Sequence, residues 1–242
     1  MAGARAELAP NGTLRVGLNM SNFLLVSASL LPDGAPTGIV PDLAAEIASR
    51  LSVPLDWVPY PDAGKLSSGA KEDAWDIAFM GAEPERAKII SFTAAYLEIE
   101  ASYLVPAGSP IQSIADVDRP GVRIAVAARA AYELYLSRTL KQAELMKAEG
   151  LEGSFQLFIS CKLDALAGLK ARLMQDQEKL AGSRILPGRF TAIQQAIATP
   201  SNRPKAFAYL KDFAEEIKAN GTVTRLIAKH GIAGVSAAAP AA

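Results

Sequence analysis

The constraint that bears hardest on this chain is a rhythm. Short apolar strands alternate with amphipathic helical segments, the alternation breaks once near residue 103, and it then starts again. The first strand reads Thr13-Leu14-Arg15-Val16-Gly17-Leu18 and runs into the polar turn Asn19-Met20-Ser21-Asn22. A turn at Pro32-Asp33-Gly34 follows. In residues 41–51, Leu43, Ile47 and Leu51 recur at i, i+4 and i+8 behind Pro41, which predicts an amphipathic helix. Residues 55–60 and 75–80 read as the second and third strands, with a helix over 65–71 between them. Strand, helix, strand, helix, strand implies parallel pairing.

The stretch Ser102-Tyr103-Leu104-Val105-Pro106 leads into a new unit, so it reads as a crossing segment. A second α/β unit then begins at residues 122–126 and continues through a helix over 131–140, a strand over 155–159 and a helix over 163–173. The apolar run Ala192-Ile193-Gln194-Gln195-Ala196-Ile197-Ala198 returns the chain to the first unit, and helices over 204–219 and 223–229 close it. The expected architecture is therefore α/β, with two Rossmann-like lobes joined by two crossing strands near 102–106 and 189–195. Residues 12–103 and 194–235 form the discontinuous first lobe and 104–193 the second. Each lobe is expected to have its own sheet, and residues 1–11 and 236–242 are expected to be flexible tails.

Composition agrees with such a molecule. The chain has 242 residues, half of them hydrophobic, enough to bury two cores. Lysine plus arginine equal aspartate plus glutamate at 25 each, so no charge excess favours nucleic acid or an anionic membrane. No apolar run approaches the roughly 20 residues of a transmembrane helix. Met1-Ala2-Gly3-Ala4-Arg5-Ala6 reads as an initiator Met before the remnant of a removed signal peptide. Cys161, the single thiol, permits no intramolecular disulfide and is expected to pack in an apolar strand-like setting. The sole histidine, His230, falls on a terminal helix, which argues against a His-based triad or metal site, and no cofactor is expected.

Four local patterns, in order, carry a resemblance: Leu14-Arg15-Val16-Gly17; Thr37-Gly38-Ile39-Val40-Pro41-Asp42-Leu43-Ala44; Trp75-Asp76-Ile77-Ala78 with Glu83-Pro84-Glu85-Arg86-Ala87 and Phe92-Thr93-Ala94-Ala95-Tyr96; and Lys162-Leu163-Asp164-Ala165-Leu166. From Gly12 to Gly234 the sequence resembles the extracellular solute-binding proteins of ABC importers, in the group that includes polar amino acid receptors. That resemblance implies the type 2 periplasmic binding protein architecture, a periplasmic monomer, a partner permease and no catalysis.

The resemblance also implies that Arg86 grips a ligand carboxylate, a role its planar fork of donors suits. The alternative for Arg86 is a surface pair with Glu83 or Glu85. Asn19, Asn22, Phe79, Gly81, Ala82, Ala130 and Tyr132 are further pocket candidates, although Phe79 and Tyr132 are equally ordinary as core. Gln194 and Gln195 could bond a ligand or the strand backbones. Two positions depart from the family pattern. Leu169 stands where the amino acid receptors carry an ammonium-binding aspartate, which argues against an ordinary α-amino acid unless Glu98, Glu100 or Asp164 reaches in. Asp164 is otherwise expected to cap a helix. Where the family has a Gly-Thr or Gly-Ser turn, this chain has Ala128-Arg129-Ala130, and Arg129 either meets a second acidic group or points into solvent. The alternative activity is acid-catalysed elimination of the cyclohexadienyl dehydratase kind, with only Glu98 or Glu100 as the acid. A sensory module is the third reading.

Overall fold

The computed structural model describes residues 2–30 and 35–240, so the turn expected at Pro32-Asp33-Gly34 lies outside the described residues. In chain order the elements are α1 Ala2–Leu8, β1 Leu14–Asn19, β2 Ser27–Leu30, β3 Pro36–Thr37, α2 Ile39–Leu51, β4 Leu55–Tyr60, α3 Ala63–Gly69, β5 Ile77–Gly81 and β6 Ile90–Val105. They continue with β7 Arg123–Ala127, α4 Ala131–Thr139, β8 Glu144–Ala148, α5 Gly150–Ser160, β9 Ala165–Leu169, α6 Lys170–Glu178 and β10 Arg184–Ile185. The chain closes with β11 Thr191–Pro200, α7 Pro204–Ala219, α8 Thr222–His230 and β12 Val235–Ala237. The fold is α/β of the type 2 periplasmic binding protein kind.

The chain divides into two compact units, one formed by residues up to Glu98 and from Gln194 onward, the other by Ile99–Ile193. The chain leaves the first unit within β6, five residues before the expected boundary at 103, and returns within β11. Because these two long strands are shared, the hydrogen-bonded order is one path, β4-β1-β5-β11-β6-β9-β7-β8, and not the two separate sheets expected.

In the first unit β1 lies between β4 and β5, parallel to both, with Val16 opposite Trp57 and Ile77. Its residues are buried at positions 14 and 16–18, as a central parallel strand requires. Leu43, Ile47 and Leu51 of α2 are buried as the spacing predicts, and the helix starts two residues before Pro41. Beneath β5, Leu66, Trp75, Ala78, Met80, Ile90 and Ala198 form one core cluster, and Trp75 Nε1 donates to the Leu66 carbonyl at 2.9 Å.

A buried ion cluster anchors this sheet. Asp76, 0% exposed, accepts from the Arg15 backbone N–H at 2.8 Å and from Arg15 Nη2 at 2.8 Å, and it also accepts from Arg203 Nη1. Arg203 in turn donates to the Glu7 carbonyl at 2.9 Å and to Asp73. The Glu7 carboxylate accepts from the Lys205 and Ala206 backbone N–H groups at 2.7 and 2.8 Å, satisfying the start of α7. The expected N-terminal tail is therefore a docked helix, with Ala4 and Leu8 buried. The C-terminal tail is also corrected. Val235–Ala237 pair with β6, and the Ala238 N–H donates to the Tyr96 carbonyl at 3.0 Å.

In the second unit β7 lies parallel between β8 and β9, and β9 runs antiparallel to β6. Here the sequence reading fails most. The strand expected over 155–159 is the body of α5, because Phe155 and Phe158 are the buried pair, at helical spacing, while Ile159 is 40% exposed. The helix expected over 163–173 is strand β9, buried at all five positions, followed by α6. Cys161 is exposed at the end of α5, so it does not pack. Asp164 caps no helix. Its carboxylate accepts from the Arg123 N–H at 2.8 Å and holds the start of β7 to the start of β9.

Replacing Asp76 by Ala leaves the buried Arg203 and the half-buried Arg15 without their shared carboxylate. Urea denaturation is expected to show a loss on the order of 3–5 kcal/mol. A loss under about 1 kcal/mol would show that water or Asp73 replaces the carboxylate.

Candidate ligand-binding residues

Asn19, Asn22, Phe79, Gly81, Ala82, Arg86, Gln194 and Gln195 all belong to the first unit: Phe79 in the middle of β5, Gln194 and Gln195 on β11, and the others at or beyond the carboxyl ends of β1 and β5. Ligands of open α/β sheets lie beyond the carboxyl ends of parallel strands. The loop after β1 is built by local bonds. Asn19 Oδ1 accepts from Ser21 N–H at 3.2 Å and Ser21 Oγ at 2.8 Å, and the Asn22 carbonyl accepts from the Leu25 and Val26 N–H groups at 3.0 Å. The Leu25 carbonyl accepts from Val40 N–H at 3.1 Å, tying the loop to the start of α2. This approach demands Gly38, whose φ is 130° and whose added Cβ would stand 2.5 Å from the Leu25 oxygen.

Arg86 is 4% exposed and its Nη1 donates to the Gly81 carbonyl at 2.7 Å, at the end of β5. It is therefore buried and not at the surface as the alternative reading had it, and Glu85 meets Lys88 at 2.7 Å. Ala82 N–H donates to the Gln194 carbonyl at 2.8 Å, so that amide belongs to the sheet. Gln194 is exposed, and its Nε2 donates to Glu98 at 3.1 Å. Gln195 pairs with Gly81 and is buried. Asn22 Oδ1 and Gln195 Oε1 are buried oxygens with no hydrogen-bond donor, and such atoms demand an explanation. Phe79 is 2% exposed and lies edge-on to Tyr96 with ring centroids 5.9 Å apart, a core contact.

Arg129, Ala130, Tyr132 and Leu169 belong to the second unit. Arg129 is exposed, with φ 62°, a left-handed conformation on a residue with a Cβ. Its backbone N–H donates at 2.9 Å to Glu133, four residues on in α4. Glu133 is buried and also accepts from Ser137 Oγ at 2.6 Å and pairs with Lys147 at 2.7 Å. Burial opposes its charge, yet the bonds from Lys147, Ser137 and the Arg129 N–H outweigh burial and hold the carboxyl below its ordinary range. At the Arg129 amide the chain thus supplies its own anion. Glu133 escaped the sequence reading, although a glutamate in the first turn of a helix is a recognisable capping signal. Tyr132 is 3% exposed, among Leu166, Arg172, Leu173 and Asp176, and burial pushes its hydroxyl well above the ordinary range. Leu169 ends β9 and stands at the N-cap of α6 with no side-chain cap. Of the other acids, Glu100 meets Lys170 at 3.0 Å and Arg189 at 3.7 Å. No group of three or more His, Cys, Asp or Glu able to hold a metal occurs among the described residues, and no described helix is long and apolar enough to cross a membrane.

The model of the bacterial extracellular solute-binding proteins, family 3, matches residues 15–233, and the chain belongs to that family. A comparison with curated proteins finds no match. Among solved structures, the ancestral amino acid-binding protein AncCDT-1, described as a precursor of cyclohexadienyl dehydratase, is 23% identical with a TM-score of 0.74, covering 93% of this chain and 97% of its own. The substrate binding protein of an amino acid ABC transporter is 18% identical with a TM-score of 0.73, covering 90% and 98%. Holo ArgBP from T. maritima is 21% identical with a TM-score of 0.70, covering 88% and 93%. Likeness at these identities shows the fold alone.

Because the Glu133 carboxyl sits below its ordinary range in the folded protein, its stabilisation is full above that range and is lost as pH falls through it toward the depressed value. Glu133→Gln is expected to be less stable than the parent near neutral pH and to lose less stability on acidification. Denaturant titrations at several pH values check this, and parallel pH profiles for the two proteins would contradict it.

Proposed function

We propose that the protein is a periplasmic receptor that captures a small carboxylate-bearing solute, amino acid-like or an organic acid, by hinge closure and delivers it as a monomer to an ABC transporter permease. The observation that carries this reading is Arg86, buried at the carboxyl end of β5 with one guanidinium nitrogen anchored on the Gly81 carbonyl. An arginine so held has a fixed orientation at the end of β5, and its planar guanidinium matches the geometry of a carboxylate. The buried acceptors Asn22 Oδ1 and Gln195 Oε1, in the same unit, suit hydroxyl or amide donors on the solute. Leu169 in place of an ammonium-binding aspartate favours simple or hydroxylated carboxylates over α-amino acids. Glu133 at the Arg129 amide argues against a second anionic group docking on that amide.

The dehydratase reading draws on the likeness to AncCDT-1 and to an ancestral cyclohexadienyl dehydratase, a variant of AncCDT-3, which is 26% identical with a TM-score of 0.52. It finds little support in the acids present, since Glu98 accepts from Gln194 and Glu100 is ion-paired with Lys170 and Arg189. Neither is an uncommitted proton donor. Product formed from a bound solute, and lost in Glu98→Gln or Glu100→Gln, would establish that reading instead.

Arg86→Ala is expected to weaken solute binding by about 2–5 kcal/mol in calorimetry, because the carboxylate would be desolvated without its partner. Unchanged affinity would refute the anchor. Leu169→Asp is expected to shift preference toward α-amino acids relative to hydroxy acids of the same skeleton. Parent protein that already prefers the free α-amino acid would show that another carboxylate serves the ammonium.

A further inference from the structure

A cavity of about 400 Å³ lies wholly within the second unit and involves none of the residues discussed above as solute contacts. Its walls are Pro106, Phe158, Ile159, Leu163, Leu180 and Ala181, almost entirely apolar. Its lining includes Lys162 and Leu163, just before the amino end of β9, and Pro106 and Ala107, just after β6, whereas the candidate residues of this unit follow β7 or lie at the carboxyl end of β9. Ile159 is 40% exposed, one of only two large hydrophobic side chains so exposed among the described residues. Water against such a wall is unfavourable, and an apolar concavity of this size is in the range that holds small ligands.

The one cation lining this cavity is Lys162. It is exposed, and its ammonium makes no ion pair or hydrogen bond among the described residues, although its backbone carbonyl accepts from Arg123 Nη2 at 3.0 Å. Its φ of 47° places it in the left-handed region, a conformation that an L-residue other than Gly, Asn or Asp adopts at some cost. The nearby Lys179 is by contrast committed, to Asp176 at 3.3 Å and over the Phe155 ring at 4.9 Å. The cavity's polar lining residue Ser183 donates its hydroxyl to the Leu180 carbonyl at 2.6 Å. The cavity therefore offers an apolar trough and one uncommitted positive charge at its rim. Such a pairing matches an amphiphile with a single negative end: the chain covers the apolar wall and the anion meets Lys162.

We propose that this cavity is a second binding site, for a medium-chain aliphatic carboxylate, with Ile159 and Leu163 against the chain and Lys162 on the carboxylate. The charge complementarity singles out this occupant over a neutral chain of the same length. The site is independent of the solute reading, and neither depends on the other.

The test uses the full chain with 13C-methyl labels on Ile and Leu, titrated with decanoate and with decanol below their aggregation limits. Saturable shifts of the Ile159 and Leu163 methyls are expected, with decanoate bound at least fivefold tighter than decanol. Lys162→Gln should remove that preference and leave decanol unchanged. Ile159→Asp, at an exposed position, should weaken both ligands at least tenfold while leaving the thermal midpoint and the first unit's methyl spectrum intact. No shift at these methyls up to millimolar decanoate would overturn the proposal. Equal affinity for decanoate and decanol in the parent would overturn the role of Lys162 and with it the choice of ligand. Shifts confined to first-unit methyls would likewise overturn it, because decanoate would then be acting only as a solute carboxylate.

Discussion

The first unit depends on one buried carboxylate. Asp76 has no contact with solvent and is held by Arg15 and Arg203. Its position explains its reach, since it immediately precedes β5, Arg15 lies on β1, and Arg203 immediately precedes α7. One side chain therefore sets the relation of two parallel strands and a C-terminal helix, and through Glu7 it also recruits α1. A buried ion pair is weak evidence for net stability, but it penalises every arrangement in which one partner is missing. Here that selectivity falls on the strand that carries Gly81 at its far end, and Gly81 in turn holds Arg86.

The same logic governs the second unit. Asp164 accepts from the Arg123 N–H, and Glu133 accepts from the Arg129 N–H, so carboxylates sit near both ends of β7. Each satisfies a backbone donor that a strand end or a turn would otherwise leave open. The Glu133 bond also shows how a chain can keep a left-handed turn without glycine: the cost at Arg129 is offset by a charge-assisted bond inside a buried cluster with Lys147 and Ser137.

How much was legible differs between the units for a physical reason. Leu43, Ile47 and Leu51 announce α2 because one face of that helix is buried and the other is wet, so periodicity survives in the sequence. Strand β9 is buried on both sides and reads as Ala-Leu-Ala-Gly-Leu, with no period to separate it from a helix; α5, rich in apolar residues, was mistaken for a strand by the same ambiguity. Strand β8, Glu144–Ala148, went unread because its residues are exposed or only partly buried and its apolar residues, Leu145, Met146 and Ala148, do not alternate with its polar ones. The terminal segments looked structureless because small residues carry little pattern, yet Ala4 and Ala238 are buried.

By itself the sequence determined the α/β class, the family, and the position of Arg86 two residues past Pro84 in a stretch that follows a buried strand, because these rest on order and local pattern along the chain. Tertiary structure decided the rest. It set Arg86 on the Gly81 carbonyl, moved Tyr132 and Phe79 into the cores, and gave the Arg129 amide to Glu133. It also brought Pro106, Phe158 and Leu180 together beside Lys162, residues up to 74 positions apart in the chain. Such contacts arise from the crossing of distant strands and helices, and no local spacing encodes them.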